Sequence, residues 1–87
     1  MQSEAWKSTV LAQVGGANLK VMRMDETPYP EECHHYPEGL LVIDGQLNLT
    51  VGADVITVRA GEIFIVPVGV LHAVAPGSCG TLVIFDV

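Results

Sequence analysis

Apolar residues recur at alternate positions, or in short unbroken runs, along most of the chain, and turn-forming residues separate the runs. Trp6 to Val14 mixes β-branched and apolar residues and is followed by Gly15-Gly16, a hairpin signal. Leu19-Lys20-Val21-Met22-Arg23-Met24 then alternates apolar with polar, which predicts a half-buried strand pairing back onto the first. Thr27-Pro28-Tyr29-Pro30 predicts a loop, because proline has no N–H for a central ladder. The run Leu40-Leu41-Val42-Ile43 closes on Asp44-Gly45, which reads as a turn. Gln46 to Val51 alternates cleanly, with Leu47, Leu49 and Val51 directed at a core, and Gly52-Ala53 turns the chain into Asp54 to Arg59. Glu62 to Val66 is too short for a helix and suits a strand buried on both faces. Pro67 ends that strand, Gly69 turns the chain back, and His72 enters the next apolar segment beside Val70 and Val74. Pro76-Gly77 marks another turn before a final strand, Thr81 to Phe85.

No segment carries the 3.6-residue apolar stripe of a helix longer than a turn or two. Short strands with a turn every several residues predict an all-β sandwich or barrel, and 87 residues suffice for one small domain, 1–87. A hydrophobic content of 49% points to a folded globule. No apolar run approaches the ~20 residues of a membrane span, so no membrane role is expected. The amino terminus lacks the basic-then-apolar layout of a secretory signal, which makes a cytoplasmic location the default expectation. Four basic residues against ten acidic ones give a formal charge of −6, which leaves no basic surface to follow a phosphate backbone and excludes nucleic acid as a partner. Cys33 and Cys79 have neither the number nor the spacing of a disulfide framework or a C-x-x-C site.

Half of the acidic residues (Asp25, Glu26, Glu31, Glu32 and Glu38) fall in one stretch, and its second half is interleaved with Cys33, His34 and His35. Asp25 and Glu26 read as a solvated loop. For Glu31, Glu32 and Glu38, the neighbouring histidines bring metal ligation into consideration.

The spacing around His72 is more specific. Gly61, five residues, Pro67-x-Gly69, two residues and His72 resemble the second characteristic motif of the cupin superfamily. There the histidine is the last ligand of a metal held inside a small antiparallel jelly-roll β-barrel. The family often has asparagine four residues after that histidine, where this chain has Pro76. The first motif of the family is histidine, one residue, histidine, three or four residues, glutamate, six residues, glycine. Glu38 and Gly45 match its second half, and its initial glycine is absent. Counting back with three intervening residues places His34 and Glu32 at the two histidine positions, and counting with four places Cys33 and Glu31 there.

We adopt the first register, in which the resemblance implies Glu32, His34, Glu38 and His72 as ligands of a divalent ion such as iron, manganese, nickel or zinc. Imidazole and carboxylate together suit borderline divalent ions, and His34, His72 and Glu38 alone form a two-histidine, one-carboxylate set that leaves positions open. The thiolate of the second register would favour zinc or copper(I). Strand alternation turns His35 away from His34, toward solvent or the barrel rim, although a kink at Pro37 would exchange the two.

The expected function is a small single-domain barrel that binds a divalent metal and acts on a small organic molecule, by oxygenation, isomerisation or decarboxylation. Leu40, Val42, Ile65, Val70 and Val74 are the expected apolar lining. A non-catalytic barrel binding a small molecule, or serving assembly, is the competing reading. No serine, lysine or tyrosine is placed persuasively as acid, base or nucleophile. Apolar runs on both faces of several strands also predict a homodimer.

Overall fold

The computed structural model describes residues 6–27, 29–33 and 35–87, with 29–32 described by backbone alone. Its elements are β1 (Thr9–Val14), β2 (Ala17–Met24), β3 (Tyr29–Glu32), β4 (Glu38–Val51), β5 (Asp54–Arg59), β6 (Ile63–Val66), β7 (His72–Val74) and β8 (Cys79–Asp86). All their pairings are antiparallel. The fold is a small antiparallel β-barrel, as the pattern of short strands requires. Among the described residues, no helix is long and apolar enough to cross a membrane.

β4 is the spine. The path of paired strands runs β1-β2-β8-β4-β7-β3, and β5 and β6 also pair with β4. The first half of β4 lies between β6 and β8, and its second half lies between β5 and β7.

The expected turn at Asp44-Gly45 is therefore corrected: β4 continues through it. Between Val42 and Asp44 the register against β8 slips, leaving Ile43 as the extra residue of a bulge. Gly45 takes φ 76° and Gly80, its register partner on β8, takes φ 97°. The two backbones touch there. A Cβ on Gly45 would lie 2.1 Å from the carbonyl oxygen of Cys79, and one on Gly80 would lie 2.1 Å from that of Asp44. The backbone freedom that makes Asp-Gly a hairpin signal here bends a long strand instead.

Three further expectations need correction. The predicted loop over 27–30 gives way to β3 at Tyr29, an edge strand bonded to β7, and edges tolerate proline. β6 is not buried on both faces: Phe64 and Val66 face inward, whereas Ile63 and Ile65 are 53% and 54% exposed. β6 pairs with β4, and among the described residues no other strand pairs with it. Cys79, read as a turn residue, opens β8.

Leu47, Leu49, Val42 and Val66 are the most completely buried large side chains, each worth ~1.5–3 kcal/mol. Val51 packs against this core, as the alternation of β4 anticipates, and Trp6 packs against it as well. β7 is held on β4 by polar contacts. Gly52 N donates to Leu71 O at 3.0 Å, and the Thr50 hydroxyl donates to Ala73 O at 3.3 Å. Farther along, Asn48 Nδ2 donates to Pro76 O at 3.0 Å, while the buried Ser78 hydroxyl accepts from Asn48 N at 2.9 Å. These bonds fix the strand on which His72 stands.

Candidate functional site

The barrel carries an open cavity of about 220 Å³. Leu40, Leu49, Leu82 and Ile84 contribute apolar wall, and Glu38, His72, Lys20, Asp86 and Tyr36 bring polar groups to it. Val74 also lines it, as expected, and Val42 and Val70 belong to the core around it. Ile65 does not: it lies on the outer face, in an apolar depression with Ile63 and Phe85, because strand alternation carries it opposite to Val66.

Glu38 opens β4 and His72 opens β7, and both are buried. The turn before β7, in which Val70 N donates to Pro67 O at 3.4 Å, sets the Val70 carbonyl 3.1 Å from His72 Nδ1. A carbonyl only accepts, so Nδ1 carries the proton of that bond. The ring so tethered turns its other nitrogen to the carboxylate, and Nε2 lies 3.5 Å from Glu38 Oε1. A ring nitrogen and a carboxylate oxygen thus face one another in a buried place, where a cation or a proton can bridge them.

A divalent ion fits this pair. Ligands ~2.0–2.2 Å from one ion at a tetrahedral angle stand about 3.4 Å apart, close to the separation found. The Nδ1 bond to a backbone carbonyl is the usual outer support of a ligating histidine.

The other two proposed ligands are less fully placed. Glu32 ends β3 in register with His72, which brings the two backbones side by side. Its side chain and His34 lie outside the described residues, as does the Glu31 side chain. Among the described residues no third His, Cys, Asp or Glu joins Glu38 and His72. Cys33 and His35 are both exposed.

Lys20 and Tyr36 are cavity residues that the pattern of the chain did not single out. The expected alternation of β2 is corrected: Ala17 to Arg23 are all partly buried, and Lys20 stands on the cavity side with Met22. Its Nζ donates to Asp86 Oδ2 at 2.7 Å, and the two side chains are 24% and 4% exposed. That hydrogen bond raises the Lys20 pKa above its ordinary 10.5, with the charges of Asp86, Tyr36 and Glu38 adding to the effect and burial opposing it. Asp86 accepts a further bond from Asn18 Nδ2 at 3.3 Å. The one available signal was a lysine in alternation with methionines rather than with other polar residues.

Residues 21–87 match the family model described as Cupin domain. No curated protein sequence matches the chain. A cupin-2 domain-containing protein from Shewanella frigidimarina superposes with a TM-score of 0.86 at 21% identity, over 98% of this chain and 83% of that one. The EutQ protein of Clostridium difficile superposes with a TM-score of 0.77 at 20% identity, over 91% of this chain and 64% of that one. KdgF from Halomonas sp. gives a TM-score of 0.75 at 15% identity, over 90% and 74% of the two chains. At these identities the likeness shows the fold alone.

Proposed function

The chain belongs to the cupin superfamily, and on that premise we propose that its barrel holds a divalent metal ion and a small organic molecule together. The observation that carries this is the approach of His72 Nε2 to Glu38 Oε1 at 3.5 Å inside the cavity, with His72 Nδ1 tied to the Val70 carbonyl. Glu38 and His72 would hold the ion, with Glu32 and His34 completing the set. Bound there, an ion of the iron, manganese, nickel or zinc kind polarises an oxygen of the ligand. The chain's own groups do the rest: the Val70 carbonyl orients the His72 ring, the leucine and isoleucine walls exclude water, and Lys20 supplies a fixed positive charge.

A barrel that binds its ligand without turnover is the second reading, and one observation favours it. Lys20 is held protonated by Asp86, so it anchors a ligand and is unsuited to removing a proton from one. Turnover by oxygenation, isomerisation or decarboxylation would then have to come from the metal end of the cavity.

A homodimer belongs to the same proposal. Ile63, Ile65 and Val87 are exposed next to Phe85, forming an apolar face on the outside of β6 and β8 that a second copy would cover symmetrically. A cytoplasmic setting suits the two exposed thiols, Cys33 and Cys79, which remain reduced there.

The test is metal content per chain after dialysis against several divalent ions, for wild type, Glu38→Ala and His72→Ala. The wild type should retain close to one ion per chain and both variants should lose it. A wild type that stays empty under every ion refutes the metal reading.

A further inference from the structure

We propose that two copies of this chain pack through the outer face of β1-β2-β8-β4-β6, about a two-fold axis that runs along β8, with Arg23 of each copy on Asp44 of the other. The inference rests on the homodimer proposed above. It adds which strand lies on the axis and which residues meet across it.

The first argument is the layout of that face. β8 turns Leu82, Ile84 and Asp86 inward, all buried, so Thr81, Val83 and Phe85 lie outside. Following the pairings from Phe85 gives one row across five strands: Ala12, Leu19, Phe85, Gly39 and Ile65. The row through Val83 is Thr9, Val21, Val83, Leu41 and Ile63. Neither row holds a charged residue, although the chain carries a formal charge of −6. Ile63 and Ile65 nevertheless stand 53% and 54% exposed. Two copies meeting through these rows bring no carboxylates together, and they cover apolar surface.

The second argument is charge at the border. The row through Thr81 ends the apolar area with opposite signs, Arg23 on β2 and Asp44 on β4. These two strands flank β8, one on each side. Laying a second copy face down, with its β8 along the first, exchanges β2 with β4 and leaves every row in place. Arg23 then faces Asp44 of the other copy, twice by symmetry. Sheets packed face to face stand ~10 Å apart, a gap that a long arginine and a short aspartate span between them.

The third argument is size. The same operation sets Leu19 over Gly39, where the absent side chain helps to open the apolar depression among Ile63, Ile65 and Phe85. Ala12 likewise falls over Ile65, and Phe85 meets its own counterpart on the axis. Large residues and small ones, like the two charges, lie at matched distances on either side of β8. The face is therefore complementary to itself, which a second copy of the chain satisfies.

The experiment is sedimentation of the full chain at low salt across micromolar concentrations. Wild type is compared with Arg23→Glu, Asp44→Arg, the double variant Arg23→Glu/Asp44→Arg, and an equimolar mixture of the two single variants. Circular dichroism is recorded for each protein. Each single variant should dissociate at least tenfold more readily than wild type, because its homodimer sets like charges together at two symmetric places. The dimer should return in the double variant and in the mixture. In the mixture, native Arg23 of one chain meets native Asp44 of the other, and the two substituted positions meet with opposite charges. Contacts within one chain cannot produce that recovery.

A mixture as dissociated as its components, single variants that dimerise like wild type, or a monomeric wild type would each overturn the proposal. If a single variant fails to fold, Thr81 supplies the same test, because on the axis it faces its own counterpart. Thr81→Glu and Thr81→Lys should each dissociate alone and pair when mixed, and failure to pair overturns the axis. Ile65→Asp separates this from the broader dimer reading. A dimer that Ile65→Asp breaks, but that the charge variants leave intact, removes the axis and leaves the apolar dimer standing.

Discussion

Gly45→Ala places a methyl group where β4 and β8 touch. The new Cβ would lie 2.1 Å from the carbonyl oxygen of Cys79 and 2.7 Å from its carbonyl carbon. Carbon–oxygen contacts normally sit at ~3.3–3.6 Å, so β8 must retreat by about 1 Å at its pairing with Gly45. Displacing the strand weakens ladder bonds, at ~0.5–1.5 kcal/mol each, and adds the ~1–3 kcal/mol typical of overpacking. The left-handed backbone at φ 76° costs an alanine ~1–2 kcal/mol more.

Gly61→Ala isolates that last contribution. Gly61 has φ 84°, and nothing lies within 4 Å of the added atom. Gly61→Ala should therefore cost about 1–2 kcal/mol and Gly45→Ala about 3–6 kcal/mol. A domain of this length has roughly 4–13 kcal/mol in all, so the second variant should be marginal. Urea unfolding followed by the fluorescence of Trp6, the sole tryptophan, measures both midpoints. Gly80→Ala strains the same contact from the opposite strand, so the Gly45→Ala/Gly80→Ala pair should cost less than the sum of the single changes. Equal midpoint shifts for Gly45→Ala and Gly61→Ala would refute the claim that the close approach, and not backbone conformation alone, demands glycine at position 45.

Cys33→Ser should keep the metal that Glu38→Ala and His72→Ala lose, because Cys33 is exposed; its loss of metal would establish the thiolate register instead. The raised pKa of Lys20 means that the folded state holds this proton more tightly than the unfolded state. Its stabilisation is thus complete below the ordinary 10.5 and is lost as pH climbs through the higher folded value. Alkaline unfolding should show this loss in wild type and a shallower decline in Lys20→Met; identical profiles would refute it. Sedimentation should give a dimer for wild type and a monomer for Ile65→Asp, a change that costs the isolated chain little because Ile65 is 54% exposed; a monomeric wild type would remove the dimer from the proposal.

The period-two pattern and the turn residues determined by themselves that this chain is all-β, that Leu47 and Leu49 face a core, and that His72 begins a strand after a proline-glycine turn. Those features follow from local chemistry: alternation fixes which side of a pleat a residue occupies, and proline and glycine restrict or free φ wherever they stand. The spacing from Gly61 to His72 was legible for the same reason, since a short turn holds its residues at set offsets.

The remainder depended on which strands meet. Asp44-Gly45 carries the same local signal whether the chain reverses or bends, and only the close approach of β8 at Gly80 selects the bend. That bend makes β4 one long spine and leads its start, with Glu38, to β7, where His72 stands 3.5 Å away across more than thirty residues of sequence. Lys20 reads as one more polar position on an alternating strand. Its inward placement depends on Asp86, which comes from the far end of the chain and neutralises in the barrel a charge that would otherwise remain in water.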